Sequence, residues 1–113
     1  MPNKVIISDA AYADLDETFS YIACGLNSPN AAQNLIDKVF DSIELLGEFP
    51  LIGFVPKNEV LKTRGYRLLP IDNYIVFYIP KDEKVHVIRI MYGRRDWETI
   101  LLNEKQTENM PEK

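Results

Sequence analysis

The stretch "RLLPIDNYIVFYIPKDEKVHVIRIMYGRRDW", residues 67 to 97, decides the fold. Within it, "NYIVFYIP" (73 to 80) and "VHVIRIMY" (85 to 92) are rich in β-branched and aromatic residues and are separated only by the charged turn "KDEK". Upstream, "KTRGYRLLP" (62 to 70) reaches the first of them through a turn at Ile71-Asp72-Asn73. Links this short join antiparallel neighbours, because a parallel pair needs a long crossover. The spacing therefore predicts a three-stranded meander. Along its middle strand Tyr74, Val76 and Tyr78 point to one side and Ile75, Phe77 and Ile79 to the other, so both faces are apolar.

The segment before the meander is helical. "KVIIS" (4 to 8) is a short strand, and Ser8-Asp9 supplies N-cap chemistry directly after it. Ala11, Leu15, Phe19, Ile22 and Leu26 then recur at spacings of three and four, with Asp14, Asp16 and Glu17 between them, as expected of an amphipathic helix ending near Gly25. Ser28-Pro29 starts a second helix, since proline at the first helical position loses no hydrogen bond. Its inner face carries Ala32, Leu35, Ile36, Val39, Phe40, Ile43 and Leu46, and it stops at Gly47 or shortly after. So short a connection folds the pair into an antiparallel αα-hairpin. Pro50, Gly53 and Pro56 punctuate a loop from about 50 to 61.

A helical hairpin covers one sheet face only. The second face needs a cover from the C-terminal segment "DWETILLN", from a second copy or from another protein, because large exposed apolar patches are uncommon on monomers. The fold class is thus α+β, with one domain over residues 1–102 and a polar, frayed tail at 103–113.

Composition narrows the function. The apolar runs are too short to span a bilayer, and the N-terminus turns acidic before a signal-peptide core forms, which leads us to expect a cytoplasmic protein with no membrane role. Residues 1–59 hold 3 basic against 9 acidic side chains, whereas residues 60–102 hold 8 against 5. An anionic partner should therefore meet the back half, although the overall charge of −4 argues against a surface devoted to nucleic acid. His86 is the only histidine and Cys24 the only cysteine. That excludes a zinc site of the common His/Cys kind and a disulfide, and no cofactor or metal is expected. We read His86 as a structural histidine, Cys24 as a buried inert thiol, and Tyr74 and Tyr78 as packing residues.

What remains is a set of cations and tyrosines on the sheet: Arg64, Tyr66, Arg67, Arg89, Tyr92, Arg94 and Arg95. Arginine's planar fork suits phosphate and carboxylate alike. Arg67, Arg89 and Arg95 are candidates to converge on one anion from different strands. The pair Arg94-Arg95 at the end of the last strand has three readings: a solvated strand end, a nucleic-acid contact, or a docking point for an acidic partner.

The order of strand, αα-hairpin, meander and short C-terminal helix resembles the RelE/ParE superfamily of toxins from bacterial type II toxin–antitoxin modules. The carriers are the proline and glycine of "FPLIG", the block "RLLPIDNYIVFYIP" and the closing "VIRIMYGRRDW", together spanning roughly residues 4 to 102. The resemblance implies one of two activities. A RelE-like member would be a ribosome-dependent, metal-independent mRNA endoribonuclease, with arginines stabilising the charge on the attacked phosphate. That branch carries an arginine after the first tyrosine of the middle strand, where this chain has Ile75, and a closing tyrosine, where it has Leu101. Only Arg95 matches a catalytic arginine there, with Arg67 and Tyr92 as candidate substitutes. A ParE-like member would instead inhibit DNA gyrase, and the apolar Ile75, Phe77, Ile79 face fits that branch better.

The expectation is accordingly a ParE-like, plasmid-stabilising growth inhibitor neutralised by a cognate antitoxin, with the nuclease second and a non-toxic orphan interaction module third. Arg64, Arg89, Arg94 and Arg95 are the expected clamp for an anion or target. Ile75, Phe77, Ile79 and Trp97 are the expected antitoxin surface, by strand addition or helix-in-groove. A homodimer or a heterotetramer with the antitoxin fits either reading.

Overall fold

Ser8 ends the first strand and starts the first helix in the computed structural model, which describes residues 3–103. The elements are β1 (Lys4–Ile7), α1 (Asp9–Ser20), a π-helical turn (Tyr21–Gly25), α2 (Pro29–Glu48), α3 (Glu59–Thr63), β2 (Arg67–Ile71), β3 (Tyr74–Lys81), β4 (Lys84–Tyr92) and α4 (Trp97–Leu102). The tail expected at 103–113 lies, beyond Asn103, outside the described residues.

The meander forms as its links dictate, and β1 extends it. The strand order is β1-β4-β3-β2, with β1 parallel to β4 and the other pairs antiparallel. The sheet is thus mixed: the helices carry the chain from β1 to β2 at the opposite edge, and the meander returns to bring β4 beside β1. Where β1 stops, Ser8 continues the pairing through its N–H to the carbonyl of Val87 at 3.0 Å and its Oγ to that of Ile88 at 2.7 Å. The same Oγ accepts the Ala11 N–H and caps α1.

Two cores lie on opposite faces. On one, Leu15, Leu35, Val39, Ile43 and Leu46 of the hairpin pack on Val76, Tyr78, Val85, Val87 and Ile90. On the other, Leu61, Tyr66 and Leu101 pack on Leu68, Phe77, Ile79, Ile88 and Met91, with Trp97 alongside. The chain therefore covers its second face itself, with α3 and α4. Phe77 is fully buried, its ring 5.2 Å from that of Trp97.

A bulge at Ile88 adjusts the alternation. Phe77 pairs with Arg89 and Tyr78 with Val87, so Ile88 has no opposite number and turns into the second core.

Three local expectations need correcting. The loop after α2 does not run to 61, because Asn58 caps a further turn of helix, α3, by accepting the N–H groups of Val60 and Leu61. Strand β2 consequently begins at Arg67 rather than Lys62. Cys24 is exposed rather than buried, because it lies in the π-helical turn, which has no buried residue, and off the apolar stripe of Ile22 and Leu26.

Candidate functional site

The five arginines singled out on the sheet go to different places. Arg64 donates to the carbonyls of Leu101 at 3.3 Å and Leu102 at 3.5 Å, which have no partner inside so short a helix as α4. Arg67 donates to the carbonyls of Leu51 at 3.1 Å and Gly53 at 2.8 Å and fastens the loop after α2 to the sheet. Arg89 clasps Asp14 of α1 with Nε at 2.7 Å and Nη2 at 2.9 Å. Only Arg94 and Arg95 are exposed, and neither forms a salt bridge among the described residues. The expected convergence of Arg67, Arg89 and Arg95 on one anion does not form.

Asp14 is the residue the sequence reading passed over. It is buried, and beyond Arg89 it accepts the N–H of Ile90 at 2.9 Å. Strand β1 is too short to pair with that half of β4, so the carboxylate stands in for the missing strand. The signal was present: Asp14 lies three residues after Ala11 and next to Leu15, on the inward stripe of α1 rather than its solvent face. Asp96, next to Arg95 in the chain, caps α4 by accepting the Thr99 N–H at 3.5 Å.

A cleft of about 740 Å³ opens between α1 with its π-helical turn and the Tyr74/Tyr92 end of the sheet. Glu17, Tyr21 and Leu26 form one wall, Tyr74, Ile90 and Tyr92 the other, and Arg95 stands at the margin. Tyr74 and Tyr92 meet edge to face at 5.5 Å. Burial pushes the Tyr74 phenol above its ordinary value, so it is a neutral group at physiological pH. Of the three candidate catalytic residues, Tyr92 and Arg95 line this cleft and Arg67 does not. Arg94 faces a separate, smaller depression beside Asp72 and Gly93.

The cleft is thus a mixed surface of tyrosines and aliphatic groups with one cation and acidic neighbours. That combination accepts a protein segment more readily than a phosphate, which Glu17 would repel, the Asp14 charge being met by Arg89. Of the expected antitoxin surface, Phe77 and Ile79 are buried, while Ile75 and Trp97 are half-buried. The C-terminal helix fills the place proposed for a partner.

Comparison with known families finds a match over residues 5–97 to the family described as ParE toxin of type II toxin-antitoxin system, parDE. Among solved structures, the chain is similar to one from the chromosomal ParDE toxin–antitoxin system of P. aeruginosa. The TM-score is 0.66 at 20% identity, covering 80% of this chain and 95% of that one. It is also similar to one from the toxin–antitoxin complex RelBE2 of Mycobacterium tuberculosis, with a TM-score of 0.56 at 21% identity, covering 81% and 99%. Comparison with curated proteins yields no match.

Proposed function

The chain belongs to the ParE toxin family of type II toxin–antitoxin systems, and from that premise we propose that it arrests growth by binding a protein target rather than by cutting RNA. DNA gyrase is the target that the family resemblance implies. On this reading the protein acts in the cytoplasm. It is held inactive by a cognate antitoxin, which the similarity to structures from toxin–antitoxin systems supports.

The observation that carries this reading is the dispersal of the arginines. A nuclease without a metal needs several preorganised cations around one phosphate. Here Arg64, Arg67 and Arg89 are each held by internal acceptors, which leaves Arg95 beside Tyr92 in a cleft shared with Glu17. The protein's pI of about 5.0 is equally unsuited to docking against ribosomal RNA.

Two assays divide the readings. Purified protein should inhibit supercoiling of relaxed plasmid by gyrase and leave a reporter mRNA intact in a purified translation system. Codon-phased cuts that require the ribosome and vanish with Arg95→Ala would overturn the proposal in favour of the nuclease.

A further inference from the structure

The segment "FPLIGFV" at 49–55 inverts the usual arrangement of a loop, because its backbone is tied down and its side chains face outward. Three tethers hold it. The Gly53 N–H donates to the buried Tyr78 hydroxyl at 2.9 Å, and Arg67 donates to the Leu51 and Gly53 carbonyls. Phe54 and Leu68 exchange both backbone bonds at 2.8 Å. Gly53 admits no side chain, since a Cβ there would lie 2.6 Å from the Tyr78 hydroxyl and 2.7 Å from the Leu68 carbonyl. Yet Leu51 and Phe54 are 63% and 66% exposed, and Phe49, Ile52 and Val55 are exposed beside them. Leu45, one turn back on α2, extends the patch.

The neighbourhood indicates what fits. A β-strand cannot add here. Phe54 occupies both outward groups of Leu68, and Pro70, at the next outward position of β2, has no N–H. The occupant must therefore attach through side chains, as a helix does. Along α2, Asp37, Asp41, Glu44 and Glu48 recur at helical spacing on the exposed face and run up to the patch. A second copy would bring the same acidic rim against itself.

We propose that residues 49–55 with Leu45 form a docking platform for an amphipathic helix flanked by lysine or arginine, contributed by the antitoxin. This rests on the family reading above and is separate from the Arg95 cleft. The charge sense is set by this chain: an acidic toxin surface calls for a basic neutralising segment.

Two helical peptides of about 18 residues test the chemistry, sharing one leucine face but flanked by lysines in one and glutamates in the other. The lysine peptide should bind at least about tenfold more tightly, with affinity falling as salt rises. Leu51→Ser with Phe54→Ser should abolish binding, and the thermal melt of that variant should match the parent because both side chains are exposed. Glu44→Lys with Glu48→Lys should reverse the preference. Equal binding of the two peptides, or binding unchanged in the serine variant, would overturn the platform. In cells, the serine variant should arrest growth and escape the antitoxin. Neutralisation equal to the parent would show that the occupant is not the antitoxin. A parent chain that does not arrest growth would instead refute the growth-inhibitor reading, and the peptide result would stand apart from it.

Discussion

Asp14 and Asp72 each meet a cation, and the two pairs differ in what water does to them. Lys38 and Asp72 lie 3.1 Å apart with both side chains more than half exposed, so solvent screens the attraction. Lys38→Ala should cost under about 1 kcal/mol in urea unfolding. Arg89 and Asp14 are enclosed, and Asp14 also satisfies the Ile90 N–H. Asp14→Ala takes the carboxylate away from both the Arg89 guanidinium and the Ile90 N–H in a buried setting, and should cost about 3–5 kcal/mol in the same measurement. Tyr78 carries a pH dependence. Burial raises its phenol above the ordinary 10.0, so the folded state keeps a proton that the unfolded chain gives up. Its contribution is complete below pH 10.0 and is lost as pH rises from there through the raised folded value. Urea midpoints should fall more steeply above that pH for the parent than for Tyr78→Phe, which in turn should be less stable at neutral pH because the Gly53 N–H is orphaned.

Among the elements, the β3–β4 hairpin carries two consecutive strained residues. Asp82 and Glu83 turn the chain with φ of 56° and 62°, a left-handed conformation that favours glycine. Glu83→Gly should stabilise the protein by about 0.5–1 kcal/mol, read as a higher urea midpoint. Helix α4 depends on tertiary support. Its six residues are too few to persist alone, and Phe77 beneath Trp97 and Arg64 at its last carbonyls hold it. Phe77→Ala should cost about 3–5 kcal/mol, while Arg64→Ala should speed hydrogen exchange in α4 ahead of the sheet. The alternation of Tyr74 to Ile79 made both faces legible, yet which segment covers the second depends on the docking of α3 and α4, and α3 has almost no periodicity of its own to read.

Over the whole molecule, the acidic front half becomes the outer surface of the hairpin and the basic back half becomes the sheet. Folding then spends most of the sheet's arginines internally. Arg94 and Arg95 therefore end β4 as exposed charges beside an aromatic cleft, not as part of a cationic cluster. For a protein-binding toxin, Arg95→Ala should weaken target affinity by less than about tenfold, because a charge at the rim of an interface contributes little to the bound state. Surface plasmon resonance against purified gyrase would measure it, and a complete loss would make Arg95 an anchor.

The sequence by itself determined the class, because apolar periodicities of two and of three to four residues leave only a hairpin of helices on a meander. It also carried the family resemblance and placed the last two arginines at the end of the last strand. Only the tertiary structure decided where β1 pairs, since a parallel neighbour is set by a crossover and not by a turn. Only it decided that Asp14 completes an unfinished strand edge, and which arginines are left for a partner. Each of those outcomes depends on residues far apart in the chain meeting in space, where a buried charge must find a partner and an unpaired carbonyl must find a donor. Local pattern does not encode such meetings.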